Sequence, residues 1–98
     1  IDMSNYSVKR NGHAVNVSAK EMQILLFLAQ NPNRVFTAEE LYRQVWGAES
    51  YSDTRTVVVH ISSLRKKLEE NPAEPVWIQN IRGYGYKFNA ELPMGEHD

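Results

Sequence analysis

Six cations, Arg55, Arg65, Lys66, Lys67, Arg82 and Lys87, fall between residues 54 and 88, where the only acids are Glu69, Glu70 and Glu74. Guanidinium and ammonium groups gathered on one surface attract polyanions through charge and through their N–H donors. The formal net charge of the whole chain is only -1, because the acidic residues of 89–98 mask the positive segment. Charge alone leaves a second reading open, a solvated helix face with no ligand. Other residue types capable of chemistry offer less. There is no cysteine, hence no disulfide framework and no thiolate metal site. Such usage fits a reducing cytoplasm. The three histidines, His13, His60 and His97, lack metal-ligand spacing. Gly83-x-Gly85 is followed by no helix, so it is not a nucleotide loop. No nucleophile–base pair or paired carboxylates stand out, so the chain reads as a non-enzyme that needs no cofactor.

These cations need a scaffold. At 98 residues and 42% hydrophobic content, the chain is long enough for one core. It divides into a domain over 1–90 and a flexible acidic tail over 91–98. The start at Ile1 rather than methionine suggests a piece of a longer protein. The longest apolar run, Ile24–Ala29, is too short to span a bilayer, and no signal peptide is visible, so no membrane association is expected.

Tyr6–Arg10 and His13–Val17 alternate around Asn11-Gly12, which predicts a hairpin with a type I′ turn. Ser18 and Glu21 form a capping box at the start of a first helix, with Val17 and Met22 as its hydrophobic staple. Met22, Leu25, Leu26 and Ala29 follow with helical spacing, and Asn31-Pro32-Asn33 ends the helix. Thr37 and Glu40 repeat the box for a second helix, with Phe36 stapled to Leu41. Leu41, Val45 and Trp46 supply its buried face, and Gly47 ends it. A polar loop leads to a third helix capped by Ser52 or Asp53. In this helix Val57, Ile61, Leu64 and Leu68 make one apolar stripe. Asn71-Pro72 and Pro75 end it. Trp77–Ile81 and Tyr86–Phe88 flank paired glycines as a second hairpin. The order predicts an α+β winged helix-turn-helix: short N-terminal antiparallel strands, three helices and a C-terminal β-hairpin wing.

On a helical wheel the face opposite the stripe carries Arg55, Val59, Ser62, Ser63 and Lys66. Val58 and Arg65 lie on one flank, His60 and Lys67 on the other. Small side chains edged by cations suit a DNA major groove, with the cations reaching phosphates. Val58 and Val59 either tuck against the sheet or wing or meet thymine methyl groups. Ser62 and Ser63 hydrogen-bond base edges only weakly, which leaves part of any readout to DNA shape. The wing offers Asn80, Arg82 and Lys87. Arg82 beside paired glycines either enters a narrow A·T-rich minor groove or pairs with a surface carboxylate. Tyr84, Tyr86, Trp77 and Trp46 read as core from their apolar area.

Ser18-Ala-Lys-Glu21, Asn33-Arg-Val-Phe-Thr-Ala-Glu-Glu-Leu41, Val45-Trp-Gly47, Asp53-Thr-Arg-Thr-Val-Val-Val-His-Ile61, Leu64-Arg-Lys-Lys-Leu68 and Ile81-Arg-Gly-Tyr-Gly-Tyr86 resemble the effector domains of OmpR/PhoB-type response regulators. The resemblance runs from about Tyr6 to Phe88. It implies a cytoplasmic transcription factor with an N-terminal receiver domain in the parent chain, phosphorylated by a histidine kinase. It implies a domain that is monomeric alone and binds double-stranded DNA as a tandem dimer on direct-repeat half-sites. It also implies that the loop of Gly47, Ala48, Glu49, Ser50, Tyr51 and Ser52 touches RNA polymerase. By the same resemblance Arg55, His60 and Arg65 occupy backbone-contacting positions. Val58, Val59, Ser62 and Ser63 face base edges or nearby phosphates. Arg82 is the wing arginine, and Trp46 is a phosphate-contacting indole, which sets it against its reading as core. The chain departs from the pattern at Val58, where an acid is common, at Ser62 and Ser63, where arginine is frequent, and at Asn80, where threonine is usual. The groove-facing surface is therefore less charged than in many relatives. The remaining alternatives are the same domain in a membrane-anchored or receiver-less activator, or a winged helix used only for protein interaction.

Overall fold

The computed structural model describes residues 2–4, 7–47 and 53–89. Eight elements follow one another: β1 (Asp2–Ser4), β2 (Ser7–Arg10), β3 (His13–Val15), α1 (Ala19–Gln30), α2 (Ala38–Trp46), α3 (Thr54–Leu68), β4 (Ile78–Ile81) and β5 (Gly85–Phe88). The first three strands form an antiparallel sheet in chain order, and β4 pairs with β5 as a separate hairpin. This is the α+β order expected from the sequence. The strand β1 is an addition to that expectation. It pairs with β2 in the register Met3↔Val8. Asn11 and Gly12 both take positive φ, at 53° and 80°, and join β2 to β3 with His13 opposite Arg10. A type I′ turn has that geometry.

Both capping boxes form. The Ser18 hydroxyl accepts from the Glu21 N–H at 3.2 Å while the Glu21 carboxylate accepts from the Ser18 N–H at 2.9 Å. Thr37 and Glu40 repeat the exchange at 3.0 and 2.8 Å. Asp53, rather than Ser52, caps α3. The stripe Val57, Ile61, Leu64 and Leu68 is wholly buried, at no more than 1% exposure. Two expected details change. In α1 the core takes Ile24 and Leu28 alongside Met22 and Leu25, whereas Leu26 and Ala29 are only half-buried. In α2 Tyr42 joins Leu41 in the core and Val45 is half-buried. Both helices are covered on more than one side, so their buried faces are broader than a single stripe.

The end of α3 is earlier than its prolines suggest. Its C-cap is Glu69, which is 2% exposed. The Glu69 carboxylate accepts hydrogen bonds from the backbone N–H groups of Val76 (2.8 Å), Trp77 (3.0 and 3.2 Å) and Ile78 (2.9 Å). A buried carboxylate is tolerated when donors surround it. Here those donors belong to the segment that enters β4, so the charge folds the chain back towards the wing.

The wing is also fastened to the turn between α1 and α2. Phe36 and Tyr86 exchange backbone hydrogen bonds at 2.9 and 2.8 Å, and Asn33 donates to the Phe88 carbonyl at 2.8 Å. Gly85 lies at this approach with φ +145°, and a Cβ there would stand 2.1 Å from the Phe36 carbonyl oxygen. Gly83, at φ +83°, has nothing within 4 Å of the same position. Among the described residues no helix is long and apolar enough to cross a membrane.

Two stability predictions follow from these fastenings. Glu69→Gln puts an amide donor among backbone donors and costs about 2 kcal/mol in urea unfolding. Gly85→Ala destabilises by more than the ~1–3 kcal/mol of unfavourable φ alone, because backbone must move, whereas Gly83→Ala shows only the strain contribution. Equal losses at the two glycines in the same urea assay would contradict the close approach at Phe36.

Candidate nucleic-acid interface

The buried stripe of α3 turns a defined face outward. Arg55, Val58, Val59, Ser62 and Lys66 are all exposed. Val58 and Val59 stay 48% and 65% exposed, so neither tucks under the sheet or wing. Single exposed apolar residues are ordinary, but two adjacent valines between an arginine and a lysine make a small apolar strip with charged ends. The Arg55 side chain is 92% exposed, and its Nε lies 3.4 Å from the Asp53 carboxylate. A contact that long and exposed leaves Arg55 available to another anion.

Ser63 behaves differently from Ser62. It is half-buried, and it helps hold the Glu21 carboxyl low. This corrects the expectation that both serines face outward. Ser63 belongs to a buried polar group in which Lys67 Nζ lies 2.6 Å from Glu21 Oε1. Glu21 is 5% exposed. Burial pushes its carboxyl up, but hydrogen bonds from Lys67, Ser63 and the Ser18 backbone, with the Lys67 charge, outweigh that and bring it from 4.5 to about 2. The start of α1 is thereby tied to the end of α3. The capping box was legible in the sequence, whereas a lysine partner 46 residues away carries no local signal.

On the other flank, His60 Nδ1 lies 2.7 Å from the Thr56 carbonyl. A carbonyl only accepts, so Nδ1 bears the proton and Nε2 is an acceptor in the neutral ring. The His60 ring meets Trp46 edge-on at 5.2 Å, and Trp46 stacks on Tyr42 at 5.0 Å. Lys20 Nζ sits 5.3 Å from the Trp46 ring centroid and donates to the Val45 carbonyl at 3.1 Å. Trp46 is thus half-buried, neither wholly core nor wholly surface. Lys20 joins this edge without having been singled out, since it is an ordinary second residue of a helix in the sequence.

The wing turn is closed by Tyr84 N–H donating to the Ile81 carbonyl at 2.8 Å. Arg82 and Gly83 occupy its corner, and Arg82 is exposed. Tyr84 is 71% exposed, which overturns its reading as core. A tyrosine at a hairpin tip has no opposing layer to bury it. Tyr86 and Trp77 do pack inward, buried and half-buried respectively, and Lys87 is half-buried.

Arg65 is committed inside the domain. Its guanidinium donates to the Ile78 carbonyl from Nε (3.1 Å) and Nη2 (2.9 Å), and Nη2 also donates to Asn80 Oδ1 at 2.5 Å. Its carbon Cζ lies 5.8 Å from the Tyr86 ring centroid. The sequence separated Arg65 and Asn80 as two independent surface contacts, and the fold joins them. Of the loop residues Gly47, Ala48, Glu49, Ser50, Tyr51 and Ser52, only Gly47, the C-cap of α2, is among the described residues. The tail over 91–98 also lies outside them.

Comparison with known proteins gives a consistent picture. Residues 12–88 match the family described as transcriptional regulatory protein, C terminal. The transcriptional regulatory protein YcbL of Bacillus subtilis is 41% identical over 87 residues, covering 89% of this chain and 38% of YcbL. This chain therefore spans well under half the length of that relative. The response regulator DrrB of Thermotoga maritima, an OmpR/PhoB homologue, superposes with a TM-score of 0.78 and 37% identity over 85% of this chain and 37% of DrrB. The RstA DNA-binding domain of Klebsiella pneumoniae, solved in complex with the RstA box, gives 0.74 and 32% identity over 85% of this chain and 82% of that one.

The polar group behind α3 makes a pH prediction. A carboxyl held at about 2 instead of 4.5 stabilises the fold fully above pH 4.5 and loses that contribution as pH falls through about 2. The contribution is on the order of 3 kcal/mol at most. Urea midpoints between pH 5 and 2 should fall less steeply for Glu21→Gln than for the wild type, and parallel curves would rule Glu21 out as the source.

Proposed function

Since this chain belongs to the family of transcriptional regulatory protein C-terminal domains, we propose that it is the DNA-binding effector domain of a two-component response regulator. Helix α3 enters the major groove of double-stranded DNA and the wing approaches the neighbouring minor groove. The single observation that carries this reading is the outward face of α3. It is narrow, with small side chains at Val58, Val59 and Ser62, and a cation at each end in Arg55 and Lys66. A helix face with small side chains lets the helix sit close to the base edges, within reach of valine and serine. Cations at its edges meet phosphate on both strands and fix the register. The RstA domain, which resembles this chain over most of its own length and was solved with the RstA box, supports the reading.

The valines favour thymine methyl groups, and Ser62 tolerates several base edges. With no bidentate arginine, asparagine or glutamine at the centre of the face, shape readout carries much of the specificity. Arg82 supplies it at the wing, where a guanidinium is drawn to the enhanced negative potential of a narrow A·T-rich groove. Trp46, His60 and Lys20 border the groove on the α2 side. In the parent protein a receiver domain brings two copies onto direct-repeat half-sites, and the 47–52 loop meets RNA polymerase. The size of YcbL and DrrB relative to this chain is consistent with a further domain.

Fluorescence anisotropy against a duplex selected from a random-sequence pool tests the reading. The wild-type domain binds with affinity that falls steeply with salt. Arg82→Ala weakens binding by about 1–3 kcal/mol and relaxes the A·T preference at one edge of the site. Salt-independent or absent binding by the wild type would sink the proposal, and an unchanged sequence profile for Arg82→Ala would remove the wing from it.

A further inference from the structure

We propose that Arg65 is a positioning residue, a latch that fixes the wing against α3, and that Asn80 is its catch. The inference rests on the DNA-binding reading above and assigns Arg65 a role other than phosphate contact. Arg65 stands in the last turn of α3 and is half-buried. Its fork spans two acceptors on β4, the Ile78 carbonyl and Asn80 Oδ1, while its face lies towards the ring of Tyr86 on β5. One side chain of α3 thereby holds both strands of the wing. Asn80 and Tyr86 are register partners, and Arg82 follows Asn80 by two residues. The latch therefore acts on the part of β4 nearest the wing tip.

Other fastenings act elsewhere. Glu69 gathers the backbone of Val76, Trp77 and Ile78, at the entry to β4. The Phe36–Tyr86 pairing joins β5 to the turn between α1 and α2. Neither bonds β4 directly beyond Ile78, where β4 is otherwise held through its ladder to β5. A minor-groove arginine confers sequence preference only when its direction relative to the major-groove helix is set, because a freely swinging cation finds phosphate anywhere. A guanidinium bridging two fixed acceptors sets direction, since its donors are planar and forked. Lysine offers one rotatable point charge and cannot make the bridge. Asparagine at position 80 supplies the amide oxygen that completes it.

The experiment has one arm without DNA and one with it. In the free domain, backbone N–H residual dipolar couplings of residues 79–85 fit the alignment frame of α1–α3 for the wild type. Arg65→Lys and Asn80→Ala lose that fit while the helices keep theirs. Unchanged couplings in both variants overturn the latch, whether or not the domain binds DNA. In the second arm, duplexes selected from a random pool carry either A·T or G·C pairs at the wing edge of the site. Arg65→Ala and Asn80→Ala each reduce the A·T preference by roughly tenfold, the size of one lost base-pair discrimination. The double variant loses little more than either alone, as coupled residues do. A phosphate contact predicts the opposite: weaker binding to every duplex, a log–log salt slope lower by about one for Arg65→Ala, and no effect of Asn80→Ala. That pattern would overturn the proposal and leave the DNA-binding reading intact. Absence of any binding by the wild type would reject the DNA-binding reading alone.

Discussion

Burial of Val57, Ile61, Leu64 and Leu68 sets the rotation of α3 about its own axis, and the remaining surface of the domain is arranged around that rotation. Each of these side chains contributes roughly 1.5–3 kcal/mol when fully removed from water. Turning the helix by even one residue position would expose part of this stripe and swing Val58 and Arg65, or Ser63 and Lys67, towards the core. The energetic asymmetry is large enough that the outward face is fixed without any ligand. A surface held this way is preorganised for any ligand it meets, because the backbone that carries its side chains is already fixed.

Buried charge in this domain is used for connection. The Glu21 carboxylate binds the start of α1 to Lys67 and Ser63 of α3. The Glu69 carboxylate closes the turn into the wing. Both acids are almost fully buried and both are surrounded by donors, as burial of a charge requires. Three of the six cations of the 54–88 segment stand in the last turn of α3, where the helix dipole favours them. They diverge in use. Lys67 pairs inward, Arg65 holds the wing, and Lys66 remains outward. A count of positive charge overstated what is left for a polyanion.

On the DNA-binding reading proposed above, the α3 face and the wing divide the work of recognition unequally. In the proposed reading, a valine–serine face discriminates bases through methyl contacts and single hydrogen bonds, each modest. Geometry must supply the rest, which is why the fastening of the wing matters to function. Gly85 permits the backbone approach to Phe36, and Gly83 permits the tight corner beside Arg82, so the paired glycines have separate physical reasons.

Local chemistry in the sequence determined the starts of α1 and α2, the type I′ turn, the apolar stripe of α3 and the outward placement of Arg55, Ser62 and Lys66 opposite it. Each of these depends on residues within a few positions of one another, through capping, positive φ or helical spacing. The family resemblance was equally legible, because its motifs are contiguous. Tertiary structure alone decided the fates of Ser63, Lys67, Arg65, Asn80 and Tyr84. A polar side chain three turns along a helix looks the same on paper whether it meets water, DNA or a buried carboxylate. Which one it meets depends on what the fold brings opposite it. Glu21 and Lys67 lie far apart in the chain and 2.6 Å apart in space. Sequence spacing placed the cations on the right helix. Packing chose which of them still face outward.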